Sequence, residues 1–162
     1  MLAQLPVCKW HSRSNLVLIG MPGSGKSTLG RHLAKALNMA FADTDELLQN
    51  RVNCTVQQLV DRHGLNNFRK EEQATVCEMD VNSHVISTGG SVVYSEPAMQ
   101  HLSNNGLIVF LRISLPTVRA RLAASNDRGF KVEVQWAFLI LVSERPSSPF
   151  PAGAVRRFTP AE

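Results

Sequence analysis

The sequence predicts an α/β domain: a central parallel β-sheet with helices on both faces. Three observations carry this. Two short apolar runs, Leu16-Val17-Leu18-Ile19 and Leu107 to Leu111, lack polar alternation, as strands buried on both faces do. Glycines close two strand-like segments, at Gly20 and at Gly89-Gly90. Stretches of helical periodicity lie between the strands, so the two element types alternate along the chain.

Residues 1–14 have no clear periodicity and no apolar core of the roughly 7–15 residues a secretory signal needs, and read as a loose extension. Leu16 to Ile19 is the first strand, and Gly20 to Gly25 a glycine-rich turn. Ser27 to Leu37 follows as a helix, with Leu29, Leu33, Ala36 and Leu37 expected inward and Arg31 and Lys35 outward. Phe41-Ala42 is a short strand running into Asp43. Glu46 to Val52 and Val56 to His63 are helical, with Gly64 a natural stop, and a longer helix is expected over Asn67 to Val81. Val85-Ile86-Ser87 is the third strand. Pro97 starts a helix through Leu102 that stops near Asn105-Gly106. Leu107 to Leu111 is a strand, and Pro116 to Ala124 a helix with Val118, Leu122 and Ala123 inward. Residues 146–162 hold four of the eight prolines and no strand-like run, and read as an irregular tail behind a body of residues 15–145.

A chain of 162 residues suits one domain, and 44% hydrophobic with 19% charged residues is a globular composition. No stretch approaches the roughly 18 consecutive apolar residues of a membrane span. The three cysteines, Cys8, Cys54 and Cys77, form no CxxC pair, which excludes a disulfide scaffold or cysteine zinc site and fits a reducing cytoplasm. No histidines show HxxxH or HExxH spacing. The net charge of +4 is unevenly spread: residues 1–42 carry five bases and no acid, and residues 43–80 carry eight acids against four bases. No basic stripe is interleaved with aromatics, so nucleic acid is not an expected partner.

Gly20-Met-Pro-Gly-Ser-Gly-Lys26-Ser27 is the phosphate-binding pattern GxxxxGK[ST], with an apolar strand before it and an amphipathic helix after it. Its glycines let backbone N–H groups turn toward phosphate oxygens, and the helix N-terminus adds partial positive charge at the same place. Lys26 can reach the β- and γ-phosphates, and the Ser27 hydroxyl can ligate Mg²⁺. Asp43-Thr44-Asp45 follows the second strand, where the strand ends of a parallel sheet collect ligands. Two acids with one spacer can divide two tasks, holding the waters of Mg²⁺ and accepting a hydroxyl proton; the bland alternative is a helix cap. Arg69 alone reads as a solvated helix residue. Gly90 permits close backbone approach to a ligand or simply makes a turn. Arg128, in a polar loop, could close over transferring phosphates or stay an exposed arginine.

GMPGSGKSTLGRHLAKAL, FADTDELL, FRKEE, ISTGGSVV and DRG, in this order and at these intervals, resemble shikimate kinase over about residues 15–130. The resemblance implies a three-layer P-loop kinase fold with a five-stranded parallel sheet, and transfer of the γ-phosphoryl group of ATP to the 3-hydroxyl of shikimate with Mg²⁺. It implies that Gly23, Ser24, Gly25, Lys26, Ser27 and Thr28 hold the ATP phosphates, that Ser27 ligates Mg²⁺ and that Asp43 orients the metal's water shell. Asp45 would bind the shikimate hydroxyls and act as base, Arg69 would pair with the carboxylate, Gly90 would meet substrate through its backbone, and Arg128 would be the lid arginine. Arg145, in Ser143-Glu144-Arg145-Pro146, stands at the distance of a second carboxylate-binding arginine. The expected partners are ATP and shikimate, acting on a monomer. Another small-molecule kinase, for gluconate or a nucleoside monophosphate, and a silent P-loop binding protein are the alternatives.

Two departures from the family pattern stand out. Ser91 occupies the place where a third glycine is common. After Arg128-Gly129 the text stops resembling the family, reads as a shifted frame or alternative ending, and is expected to lack a last strand and the adenine-contacting helix.

Overall fold

A computed structural model describes residues 15–114, 116–118, 120 and 155–158. Five parallel strands form one sheet in the order β2-β3-β1-β4-β5: β1 (Asn15–Gly20), β2 (Ala40–Asp43), β3 (His84–Ser87), β4 (Gly106–Leu111) and β5 (Val155–Phe158). The helices are α1 (Lys26–Leu37), α2 (Thr44–Val52), α3 (Val56–Cys77) and α4 (Glu96–Asn105), with a 3-10 turn at Val92–Tyr94. The α/β parallel-sheet expectation holds.

All six residues of β1 are buried, because the strand is central and both its faces are covered. Val17 and Ile19 join Val76, Ile86, Met99, Leu102 and Ile108 in the core beneath α3 and α4. Leu16 and Leu18 join Ala34, Val85 and Leu111 in the core beneath α1. The period-two alternation of strand side chains thus divides one apolar run between two cores, giving three layers. A third cluster, Leu48, Val56, Leu59 and Phe68, joins α2 to α3.

Three expectations need correction. The inward face of α1 is not centred on Ala36 and Leu37, which are exposed, but on Lys26, Gly30 and Ala34, spaced four apart. Gly30 decides this: a Cβ there would stand 2.6 Å from Phe41 Cε2, so the helix packs closely only along that line. The helix expected to reach Val81 ends at Cys77, and it is continuous with Val56 onward except at Gly64 (φ 77°, ψ 167°), where the expected stop is a kink. The tail does contain a strand: Val155–Phe158 pairs in parallel with Ile108 to Leu111. β4 otherwise presents an unpaired edge, and Val155–Phe158, a proline-free run within the proline-rich tail, supplies the extended backbone that pairs with it. Pro116 to Val118 is helical and Val118 is buried, as expected; Leu122 and Ala123 lie outside the described residues.

Local chemistry sets the helix ends. Thr55 and Gln58 form a reciprocal capping box at the start of α3. Ser95 caps α4 through Ala98 N–H, and Asn38 and Asn53 end α1 and α2 in the left-handed conformation.

Substitution of Gly30 by valine is expected to cost about 1–3 kcal/mol by overpacking against Phe41. Substitution of the exposed Leu37 by serine should stay within about 0.5 kcal/mol. Urea midpoints of the two variants check the assignment of the buried face.

Candidate phosphate and acceptor site

The turn after β1 changes direction through Gly23 (φ 76°) and Gly25 (φ 92°), conformations that side chains with a Cβ resist. Gly25 is the N-cap of α1 and offers no side chain to it, so the first backbone N–H groups of the helix remain turned toward the loop. Lys26 is buried, and its Nζ donates to the carbonyls of Gly20 at 2.8 Å and Met21 at 2.9 Å. This draws its ammonium across the inside of the loop rather than out to solvent.

β2 delivers the acidic pair to the same end of the sheet. Asp43 is buried and uses its two oxygens differently. Oδ1 accepts from Asp45 N–H at 3.0 Å and caps α2; Oδ2 accepts from the Ser27 hydroxyl at 2.7 Å. The expected helix cap is present on Oδ1, while Oδ2 faces the phosphate loop through Ser27. Ser87, at the end of β3 and in register with Asp43, brings its hydroxyl to 3.2 Å from Ser27 Oγ. Two hydroxyls and a carboxylate, all hard oxygen donors, make a set that suits Mg²⁺ with phosphate and water completing its shell.

Gly89 follows β3. Its N–H donates to Thr44 Oγ1 at 2.8 Å. Asp45 Oδ1 and Glu72 Oε1 both lie within 2.6 Å of the point where a Cβ on Gly89 would stand. The glycine is thus a floor above which two carboxyl groups converge, and any larger residue would displace both.

The sequence alone assigns Glu72 no role. It lies four residues after Phe68 on the buried face of α3, and a glutamate in that register is the signal that could have found it. Oε2 accepts from the Ser91 hydroxyl, while Oε1 is buried without a hydrogen-bond partner among the described residues. Burial, opposed by the Ser91 hydrogen bond and aided by the nearby Asp45 carboxylate, pushes its carboxyl up to about 8.

Arg69, one turn before Glu72, is exposed, stands 5.8 Å from the centroid of the Tyr94 ring, and lies near enough to Glu72 for its charge to act on that carboxyl. Gly90 is half-buried, Thr28 exposed and Ser24 buried. Arg128 and Arg145 lie outside the described residues. Arg31, expected outside, is indeed exposed; it pairs with Glu46 at 2.7 Å and covers the Phe41 ring. Cys54 and Cys77 are half-buried free thiols packed against apolar clusters, and among the described residues no histidine, cysteine and acid group is arranged as a metal cluster.

Comparison with known proteins fits this geometry. The shikimate kinase family profile matches residues 22–138. Shikimate kinase 2 of Escherichia coli O7:K1 is 37% identical over 116 residues, 72% of this chain and 67% of that protein. Shikimate kinase of Caldanaerobacter subterraneus subsp. tengcongensis is 35% identical over 115 residues, 70% of this chain and 67% of that protein. Among solved structures, shikimate kinase from Acinetobacter baumannii in complex with shikimate superimposes with a TM-score of 0.74 at 26% identity, over 82% of this chain and 75% of that one. A gluconokinase from Sinorhizobium meliloti 1021 reaches 0.65 at 16% identity over 94% of this chain and 86% of that one, which reflects the shared fold.

The raised proton affinity of Glu72 has a signed consequence. The folded state holds a proton that the unfolded chain loses near 4.5, so stability from this group is present below that pH and declines as pH rises toward about 8. Substitution of Glu72 by glutamine should flatten the decline in melting temperature between pH 5 and pH 8.5, with each kcal/mol recovered worth about 2–4 °C at this chain length.

Proposed function

The chain belongs to the shikimate kinase family, and from that premise we propose that it transfers the γ-phosphoryl group of ATP to the 3-hydroxyl of shikimate. One observation carries the reading at the level of the site: the Ser27 hydroxyl bonded to Asp43 Oδ2 joins the phosphate loop to the acidic pair. This supports a reading in which a phosphate donor on the loop would lie close to an acceptor held by Asp45.

The residues divide the work by charge. Residues 23–28 bind the donor phosphates through backbone N–H groups at the head of α1, and Lys26 leaves the Gly20 and Met21 carbonyls to meet the β- and γ-oxygens. Ser27 and Asp43 would hold Mg²⁺, which when bound offsets the negative charge of the transferring group. Asp45 orients the acceptor hydroxyl and takes its proton. The planar guanidinium of Arg69 matches a carboxylate in two parallel hydrogen bonds, which selects an acidic polyol over a nucleotide. Gly90 meets the acceptor through its backbone. Arg128 and Arg145 complete the charge clamp on phosphate and carboxylate.

Release of ADP with shikimate, gluconate and AMP as acceptors tests the reading. Turnover is expected with shikimate alone, and to fall about 10²–10⁴-fold in Asp45→Asn. Turnover with gluconate or AMP instead would transfer the assignment to another small-molecule kinase, and none with any acceptor would leave a binding protein. Substitution of Arg69 by lysine keeps the charge but loses the fork, and should raise KM for shikimate about tenfold with kcat little changed.

A further inference from the structure

Ser91 and Glu72 are buried together: they are 5% and 3% exposed, and the serine hydroxyl donates to Glu72 Oε2. Glu72 Oε1 remains unpartnered among the described residues and points at the Gly89 floor, where Asp45 Oδ1 also arrives. A buried carboxyl oxygen with no partner carries a desolvation cost, which a hydroxyl of a bound acceptor would relieve. A serine side chain is also not what the turn demands. Ser91 has φ −85° and ψ −13°, ordinary helical values, so its hydroxyl is free to serve Glu72. One turn later Ser95 Oγ donates to Gln73 Oε1 at 2.8 Å. Both ends of the Val92–Tyr94 turn are thereby latched to adjacent residues of α3.

We propose that Ser91 is a positioning residue for the acceptor: its hydroxyl holds the Glu72 carboxyl in one orientation, with Oε1 over Gly89 beside Asp45, where it meets a hydroxyl of the acceptor. This rests on the shikimate kinase reading of the site. The groups facing Glu72 are Asp45 from α2, Arg69 from its own helix and Ser91 from the turn before Val92. Of these, Ser91 hydrogen-bonds the carboxyl without carrying charge. Without that bond the side chain keeps its place in the core but loses its direction. The loss should appear in acceptor binding and leave the ATP side of the site unmoved.

Steady-state kinetics of Ser91→Ala, Ser91→Thr, Glu72→Gln and the double variant Ser91→Ala/Glu72→Gln test this. KM for shikimate should rise about five- to tenfold in Ser91→Ala, with KM for ATP within about twofold of the parent. Threonine, which keeps the hydroxyl, should restore KM for shikimate. In the Glu72→Gln background the alanine change should add nothing further, because its effect passes through Glu72. An unchanged KM for shikimate in Ser91→Ala, a threonine variant as impaired as alanine, or additive effects in the double variant would each overturn the proposal. Where alanine at 91 impairs folding, the other two variants decide alone: KM for shikimate should stay near the parental value in Ser91→Thr and rise about five- to tenfold in Glu72→Gln, and the reverse of either would overturn the proposal. An unsubstituted chain inactive on shikimate would instead overturn the functional reading, so the two failures are distinguishable.

Discussion

The hydrogen bond from Ser27 to Asp43 is the contact on which the site depends. Ser27 belongs to the first turn of α1, and Asp43 closes β2 while its other oxygen caps α2. A single carboxylate therefore fixes the phosphate loop, the end of a strand and the start of a helix relative to one another. The parallel sheet makes this possible. Strands β1, β2 and β3 all finish at one end, where Gly20, Asp43 and Ser87 stand as their last residues. Sequence positions far apart thus become neighbours without a long loop having to be held in place.

Around that contact the polar groups are arranged by burial. Lys26 and Asp43 are buried and satisfied by loop carbonyls, a hydroxyl and a backbone amide. Glu72 is buried and only half satisfied. The difference separates groups that hold the scaffold from one with capacity left over. A half-satisfied carboxyl lowers stability as pH rises, and proteins keep such groups where they are used. The small residues follow the same logic: Gly30 lets α1 approach the sheet at Phe41, and Gly89 leaves room for two carboxyl groups.

Much of this was legible in the residues. The glycine pattern with its flanking strand and helix marked the phosphate loop, and the unalternating apolar runs marked central strands. Asp43 and Asp45 could be placed because a strand end was visible before them. Three features were not legible, for physical reasons. The buried face of α1 follows the close approach at Gly30, and a glycine carries no hydrophobic signal. Glu72 and Ser91 gain their meaning from a contact between elements 19 residues apart, which no local period encodes. β5 pairs with the edge of β4 through backbone groups, and a four-residue proline-free run, Val155–Phe158, is too short to stand out within a proline-rich tail.

The proposed transfer to an acidic polyol requires the phosphate loop and the acidic pair to act as one site. Phosphorus-31 NMR of the chain with Mg²⁺, ATP and shikimate tests it most directly. A new phosphate monoester resonance on the 3-hydroxyl is expected, growing in step with ADP. Formation of ADP with inorganic phosphate alone, or of a monoester at another hydroxyl, would contradict it.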